Sequence, residues 1–499
     1  MIGFLAMSLG MFMALLDIQI VAASLSEIRA GLGATHDEIT WIQTSYLVAE
    51  IAIIPISGFL ARVFTMRWVF TTSAILFTIS SVACALAWDL ESMVVFRAIQ
   101  GITGGAMIPL AFAAGMATGP GRSSVVSTAV LGATATLAPT LGPTVGGWIT
   151  QTWSWHWLFF LNVVPGILVA VLVPAFVARD QPQLTLLRRF DALSVIAVMA
   201  CVGSLQFVLE EGSRKDWFDS DLITTLSVLA VVALVIVVWR GLTHTQPVLD
   251  LRAFGNRNFT LGCLFSFVCG IGLYGSIYIV PAFLARVRGW DALQIGETVF
   301  VTGVFQVLTT PLVAVLARRF DQRLLLAVGL FLYGMALAAM SRVTPDWGAE
   351  QFFWPLATRG VGSMFIIIPI TNIALGALAP DRVPVASGLY NLMRNLGGAV
   401  GIATIGIILQ DQERLHTARF MEATADPGAR AEVMDRLTQH IGTLIVDPDR
   451  AAVAATKILE GAVQREALTM AFSDALVAMA APFFLSLLLI PFTRKSRAA

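Results

Sequence analysis

Fourteen long apolar runs separated by mostly short polar connections make up almost the whole chain. They fall at roughly 1–25, 40–61, 67–87, 91–117, 122–149, 157–178, 191–210, 221–240, 258–284, 293–317, 322–341, 351–378, 384–410 and 470–493, each near the roughly 20 residues a helix needs to cross a bilayer. The pattern predicts an all-α polytopic membrane protein. The one long hydrophilic stretch runs from Asp411 to about Thr469, between the last two runs. Within it Leu437, Ile441, Leu444 and Ile445 recur at helical spacing. Such a stretch serves either as a solvated cap or as a docking surface.

Composition sharpens this picture. The 499 residues are 57% hydrophobic and 13% charged, and the mean hydropathy is +0.80. That balance is typical of membrane proteins. A formal net charge of zero argues against a nucleic-acid partner. None of the three lysines, Lys215, Lys457 and Lys495, follows a glycine. There is thus no phosphate-cradling loop for ATP, and work must draw on a gradient. Cys84, Cys201, Cys263 and Cys269 lie in apolar runs and read as free thiols. No nucleophile–base pair or metal-ligand cluster emerges, so neither an enzyme nor a cofactor or metal is expected. No cleavable signal peptide is evident.

The basic residues set an expected orientation. Thirteen arginines, from Arg62 to Arg382, fall in short connections on one side, and the tail adds Arg494, Lys495 and Arg497. The other side's short connections hold six: Arg29, Arg214, Lys215, Arg286, Arg288 and Arg342. The positive-inside rule then puts both termini in the cytoplasm. Arg97 to Pro109 in the fourth run loosely matches Arg359 to Pro369 in the twelfth. That match suggests two six-span halves in parallel repeat, residues 1–180 and 251–499, with two spans inserted at 181–250.

Charges inside the spans are the leading functional candidates. Burying one costs about 2.5–3.5 kcal/mol on insertion scales. Asp17, Glu50 and Arg97 lie roughly 12, 15 and 10 Å below the outer ends of their spans, counted along ideal helices. They share a depth. Gln43, Tyr46 and Glu50 form one polar stripe at i, i+3, i+7. Burial raises a carboxyl's pKa and a nearby arginine lowers it, so a carboxyl moving between the two settings loads and unloads a proton. Asp17 is the expected main carrier and Glu50 the second; a structural acid–arginine pair is the alternative. Asn391, Arg394 and Asn395 share a face at i, i+3, i+4 and, with Gln43, Tyr46 and Gln100, are expected to line a substrate cavity. For the first three, packing is the alternative.

The fifth run carries the most specific pattern: Ala138-Pro139, Gly142-Pro143 and Gly146-Gly147. Gly142 and Gly146 lie on one face and admit a close backbone. Pro139 and Pro143 should bend the helix. The pattern resembles the fifth-helix antiporter motif of the major facilitator superfamily. The tail Trp155-His156-Trp157 through Asn162 to Gly166 follows at the expected distance. Leu16-Asp17 through Ala23, Arg97 with Gly101 and Gly105, and the stretch from Asn391 to Gly398 resemble further signatures of the fourteen-span EmrB/QacA-like drug:proton antiporters. The loop motif after span 2 departs from the pattern, with Arg62 where an Asp and Thr65 where a Gly is expected.

The resemblance implies a major facilitator fold of two six-helix bundles plus two inserted central helices. It also implies proton-coupled antiport that exports amphipathic compounds across the cytoplasmic membrane. A membrane-fusion adaptor would dock on the external segment. A metabolite exporter or importer of the same fold, and a non-transporting membrane sensor or scaffold, remain open on the sequence.

Overall fold

The computed structural model describes residues 1–35, 38–117, 122–178, 181–189, 191–243, 249, 251–376, 378, 382–423, 434–439 and 447–494. The membrane-length helices are α1 Ile2–Ala23, α2 Trp41–Phe64, α3 Met66–Ala85, α4 Leu90–Met116, α5 Arg122–Thr152, α6 His156–Phe176 and α7 Ala192–Glu211. They continue as α8 Asp221–Thr243, α9 Arg257–Arg286, α10 Ala292–Arg319, α11 Gln322–Met340, α12 Ala349–Leu375, α13 Val383–Ala423 and α14 Pro448–Leu487. Thirteen are long and apolar enough to cross a membrane among the described residues. The Gly- and Pro-rich α5 completes the series. No strand occurs among the described residues.

The helices end where the local chemistry says they should. Asp89 caps α4 by accepting the Ser92 backbone N–H at 2.8 Å, and Asp291 caps α10 from Gln294 at 2.9 Å. Thr65, between α2 and α3, holds φ of 75°, a conformation that a β-branched residue adopts only under strain. This is the position where the loop pattern leads one to expect glycine.

The polar segment after residue 410 is helical over much of its described length. α13 runs on to Ala423 and α14 begins at Pro448, so much of 411–469 is helix continued from the membrane rather than a separate loop. Of the apolar positions noted there, Leu437 packs with Met434 and Ala454 around the buried Ala455. Ile441, Leu444 and Ile445 lie outside the described residues.

The halves meet where α13 packs on α2 and α4, and α5 and the inserted α7 add to that seam. α5 packs on α1 of the first half and on α10 of the second. The inserted α7 touches both α2 and α13. Small residues make the α5 contacts possible. A Cβ on Gly142 would overlap Gln19 of α1, and one on Gly146 would lie 2.8 Å from the Ile20 carbonyl oxygen. On the other flank, Gly296 of α10 would meet Thr144 at 2.7 Å.

Candidate functional site

The site starts from glycines in α4. A Cβ on Gly101 would overlap the Tyr46 carbonyl, and one on Gly105 would lie 2.5 Å from the Glu50 carbonyl. Their absence lets α2 press onto α4. That contact places the Tyr46 ring under the Arg97 guanidinium, 4.2 Å from its centroid, where cation–π attraction steadies the charge.

Arg97 then meets Asp17 of α1. Its Nη1 donates to Asp17 Oδ2 at 2.5 Å and to Gln100 Oε1 at 2.8 Å, and its Nε donates to the Ile42 carbonyl at 3.3 Å. Asp17 Oδ1 accepts from Gln100 Nε2 at 3.0 Å and from Asn162 Nδ2 at 2.7 Å. Asn162 also donates to Ser81 Oγ, which in turn donates to the Phe159 carbonyl. Asp17, Arg97 and Gln100 are wholly buried. A buried ion pair needs this density of hydrogen bonds to offset desolvation. Arg97 Nη2 nonetheless has no hydrogen-bond partner among the described residues.

Behind the cluster lies an apolar cavity of about 490 Å³ lined by Phe12, Leu16, Trp153, Trp157 and Pro165, among others, with Asn162 its one amide side chain. Asn162 therefore connects this cavity to the carboxylate. It stands in the quoted Trp155–Gly166 stretch, where a polar residue in an apolar run was the available signal. The help from Ser81 had no such signal, because serine is common in membrane helices.

The other residues expected at the site divide between two places. Tyr46 and Gln100, expected on the cavity wall, belong to the Asp17 cluster; the Tyr46 hydroxyl donates to the Ala14 carbonyl at 3.3 Å. Glu50 is 3% exposed and its carboxylate has no hydrogen-bond partner among the described residues. Its electrostatic neighbours are Arg394 of α13 and Arg97. Arg394 donates from Nη2 to Asn391 Oδ1 at 2.7 Å, and its side chain also lies within hydrogen-bonding reach of the Tyr274 hydroxyl. Asn395 accepts from the Tyr274 hydroxyl at 3.1 Å. Gln43 is half-buried on α2, with its Oε1 unpartnered among the described residues.

The second half repeats the arginine without the acid. Arg359 of α12 donates to the Ser276 carbonyl at 3.2 Å and to Thr302 Oγ1 at 2.8 Å, and pairs with no carboxylate among the described residues. The same half supplies a polar bridge to α5, where Thr140 Oγ1 donates to Gln306 Oε1 at 3.4 Å. Pro139, Gly142, Gly146 and Gly147 are buried within one continuous α5 that also contains Pro143.

Some polar groups stand apart from the expectations. Asp474 of α14 lies 2.8 Å from the ring of His416 on α13. Glu211 of α7 accepts from Thr44 at 3.0 Å and from Arg214, joining an inserted helix to α2. His156 stacks on Trp155, with ring centroids 3.7 Å apart. All four cysteines are free and buried. No group of residues suited to a metal occurs among the described residues.

The family model described as the Major Facilitator Superfamily matches residues 7–402. The chain belongs to that superfamily. It is 38% identical over 498 residues to the colistin resistance protein EmrB of Acinetobacter baumannii, covering 99% of this chain and 96% of that one. It is 33% identical over 441 residues to the multidrug export protein EmrB of Escherichia coli K12, covering 88% and 86%. The solved proton:xylose symporter XylE superposes with a TM-score of 0.63 at 12% identity, over 100% of this chain and 96% of that one, which shows the shared fold. This major facilitator protein is thus an EmrB-like transporter and not an enzyme, in a multi-pass membrane setting.

Proposed function

We propose that the protein is a proton-coupled antiporter that exports amphipathic drugs or toxic small molecules across the cytoplasmic membrane. The observation that carries this reading is the carboxylate of Asp17, wholly buried and held by Arg97, Gln100 and Asn162. A carboxyl so placed changes its proton affinity whenever a helix movement withdraws one of its donors. Asp17 is the main carrier and Glu50 the second. Each proton moving inward supplies about 2.3 kcal/mol per 100 mV, with the pH gradient in addition.

Both termini lie in the cytoplasm in this reading, on the weight of the basic connections. Residues 1–180 and 251–499 form the two bundles that rock around a midplane cavity, with 181–250 inserted. The Gly142 and Gly146 contacts keep α5 tight against α1 and limit proton leak. The Escherichia coli relative is named a multidrug export protein, which supports export here. Leu415 and Met421 on α13 and Val453 and Ile458 on α14 are exposed apolar residues on the helix extensions. They supply a surface for a membrane-fusion adaptor.

The test uses purified protein in liposomes with an imposed pH difference. Wild type should move amphipathic cargo against its gradient and release protons on cargo binding. Asp17→Asn and Glu50→Gln should each lose that release. Wild-type coupling in both variants removes the proton assignment. A panel showing one metabolite and no amphiphile points to a metabolite carrier, and no flux of any compound points to a sensor. Leu415→Lys with Val453→Lys should lose adaptor co-purification; full retention refutes the docking surface.

A further inference from the structure

The cavity behind Asn162 is a cleft in the flank of the first half, formed by α1, α5 and α6 and apart from any route between the two bundles. Its floor is buried: Met13 and Leu16 of α1, Ile149 of α5, and Asn162. Its rim is open, with Trp153, Trp157 and Val164 each more than half exposed. Apolar side chains exposed on membrane helices face lipid, and tryptophans gather at the membrane–water interface, so the cleft opens sideways into the bilayer near that interface. The Trp153 and Trp157 ring centroids lie 5.5 Å apart, and Phe160 stands 5.7 Å beyond Trp157, which makes a row of aromatic faces. The volume, about 490 Å³, falls among drug-sized sites of about 300–1,000 Å³.

The floor sets the chemistry of the occupant. Asn162 Nδ2 spends both of its hydrogens, on Asp17 Oδ1 at 2.7 Å and on Ser81 Oγ at 3.0 Å. An ionised carboxylate only accepts, so it holds the amide nitrogen on its own side. The amide oxygen accepts no hydrogen bond among the described residues and is the polar atom left for a ligand. A matching ligand must therefore donate. No charged side chain lines the cleft among the described residues, and an ion there would give up water without a counter-charge.

We infer that this cleft is a binding site, coupled to Asp17, for an uncharged aromatic alcohol. The ligand enters from the bilayer, lays its ring against Trp153 and Trp157, and donates its hydroxyl to Asn162 Oδ1. Offset and edge-on ring contacts favour an aromatic body over an alkyl one. A lipid acyl chain would fill the space but offer the amide oxygen no donor. The bound hydroxyl fixes the amide with its nitrogen toward Asp17, the orientation that the ionised carboxylate needs. Occupancy and ionisation of Asp17 thus favour one another, as linked equilibria must. The binding itself holds whether or not Asp17 carries protons for transport.

The experiment measures equilibrium binding of tritiated naphthylethanol to the full-length protein in nanodiscs, with no gradient. Empty nanodiscs give the share that merely dissolves in lipid. Its methyl ether, which keeps the ring and the oxygen but cannot donate, is the competitor. Wild type should bind the alcohol saturably, one per chain, and at least ten-fold more tightly than the ether. Trp153→Leu with Trp157→Leu, both exposed and of little weight in the fold, should lose ten-fold or more. Asn162→Leu should bind alcohol and ether alike. Asp17→Asn should weaken the alcohol severalfold and leave the ether unchanged. Melting of each variant checks its folding. Equal affinity for alcohol and ether in wild type, or unchanged binding in the folded tryptophan variant, overturns the site. No saturable binding above empty nanodiscs also overturns it and assigns the cleft to lipid chains. Equal alcohol affinity in wild type and a folded Asp17→Asn overturns the coupling. Because no proton movement is read, a failure here is distinct from a failure of proton-coupled transport.

Discussion

Gly142 of α5 sits against Gln19 of α1 with no room for a Cβ between them, two residues along α1 from the buried Asp17. The fifth helix is thus fitted directly to the segment that carries the acid. Gly142→Leu should push α1 from α5, and overpacking of this kind destabilises by about 1–3 kcal/mol. The expected outcome is a lower melting temperature together with faster passive proton leak in liposomes. Wild-type leak in a folded Gly142→Leu would remove the sealing role.

Asp17 and Arg97 are expected to depend on one another. Asp17→Asn leaves the Arg97 charge buried without its counter-ion, a loss of about 3–5 kcal/mol for a pair of this kind. Asp17→Asn combined with Arg97→Gln should recover much of that stability, read by thermal melting in detergent. Coupled transport should stay absent in both. Equal melting of single and double variants would show that the pair does not hold the bundle.

Thr65 carries its strain in the backbone, with φ of 75°. Thr65→Gly should relieve about 1–3 kcal/mol of strain. Against this stands a smaller loss, about 0.4–1 kcal/mol, from the greater freedom of glycine in the unfolded chain. The capping bond that Thr65 Oγ1 accepts from the Trp68 N–H is long, at 3.4 Å, and adds little. A higher melting temperature is expected, and a lower one refutes the strain.

Asp191 caps α7, where its side chain accepts from the Ser194 backbone N–H at 3.1 Å, from the Ser194 hydroxyl, and from Arg240 at 2.9 Å. Burial pushes its pKa up, but these hydrogen bonds and the Arg240 charge outweigh it and hold the carboxyl below the ordinary aspartate range. A depressed folded-state pKa stabilises above the unfolded value and is lost as pH falls through the folded one. Asp191→Asn should therefore melt below wild type near neutral pH, and the gap should close as pH falls through and below the ordinary aspartate range. A gap independent of pH would assign the effect to packing alone.

The sequence by itself determined the membrane class, because fourteen apolar runs of bilayer length admit no soluble fold. It also marked Asp17, Arg97, Gln100 and the α5 glycines, since charge and glycine stand out in apolar helices for plain energetic reasons. Tertiary structure alone decided who meets whom. Asn162 is 145 residues from Asp17 in the chain, and hydropathy carries no trace of their hydrogen bond. The helix extensions beyond 410 also escaped, because residues outside the bilayer lose the apolar signal while keeping the same backbone geometry. Whether a buried charge finds its partner, as Asp17 finds Arg97, depends on how helices distant in the chain cross, and small residues such as Gly101 and Gly270 set those crossings by the space they leave empty.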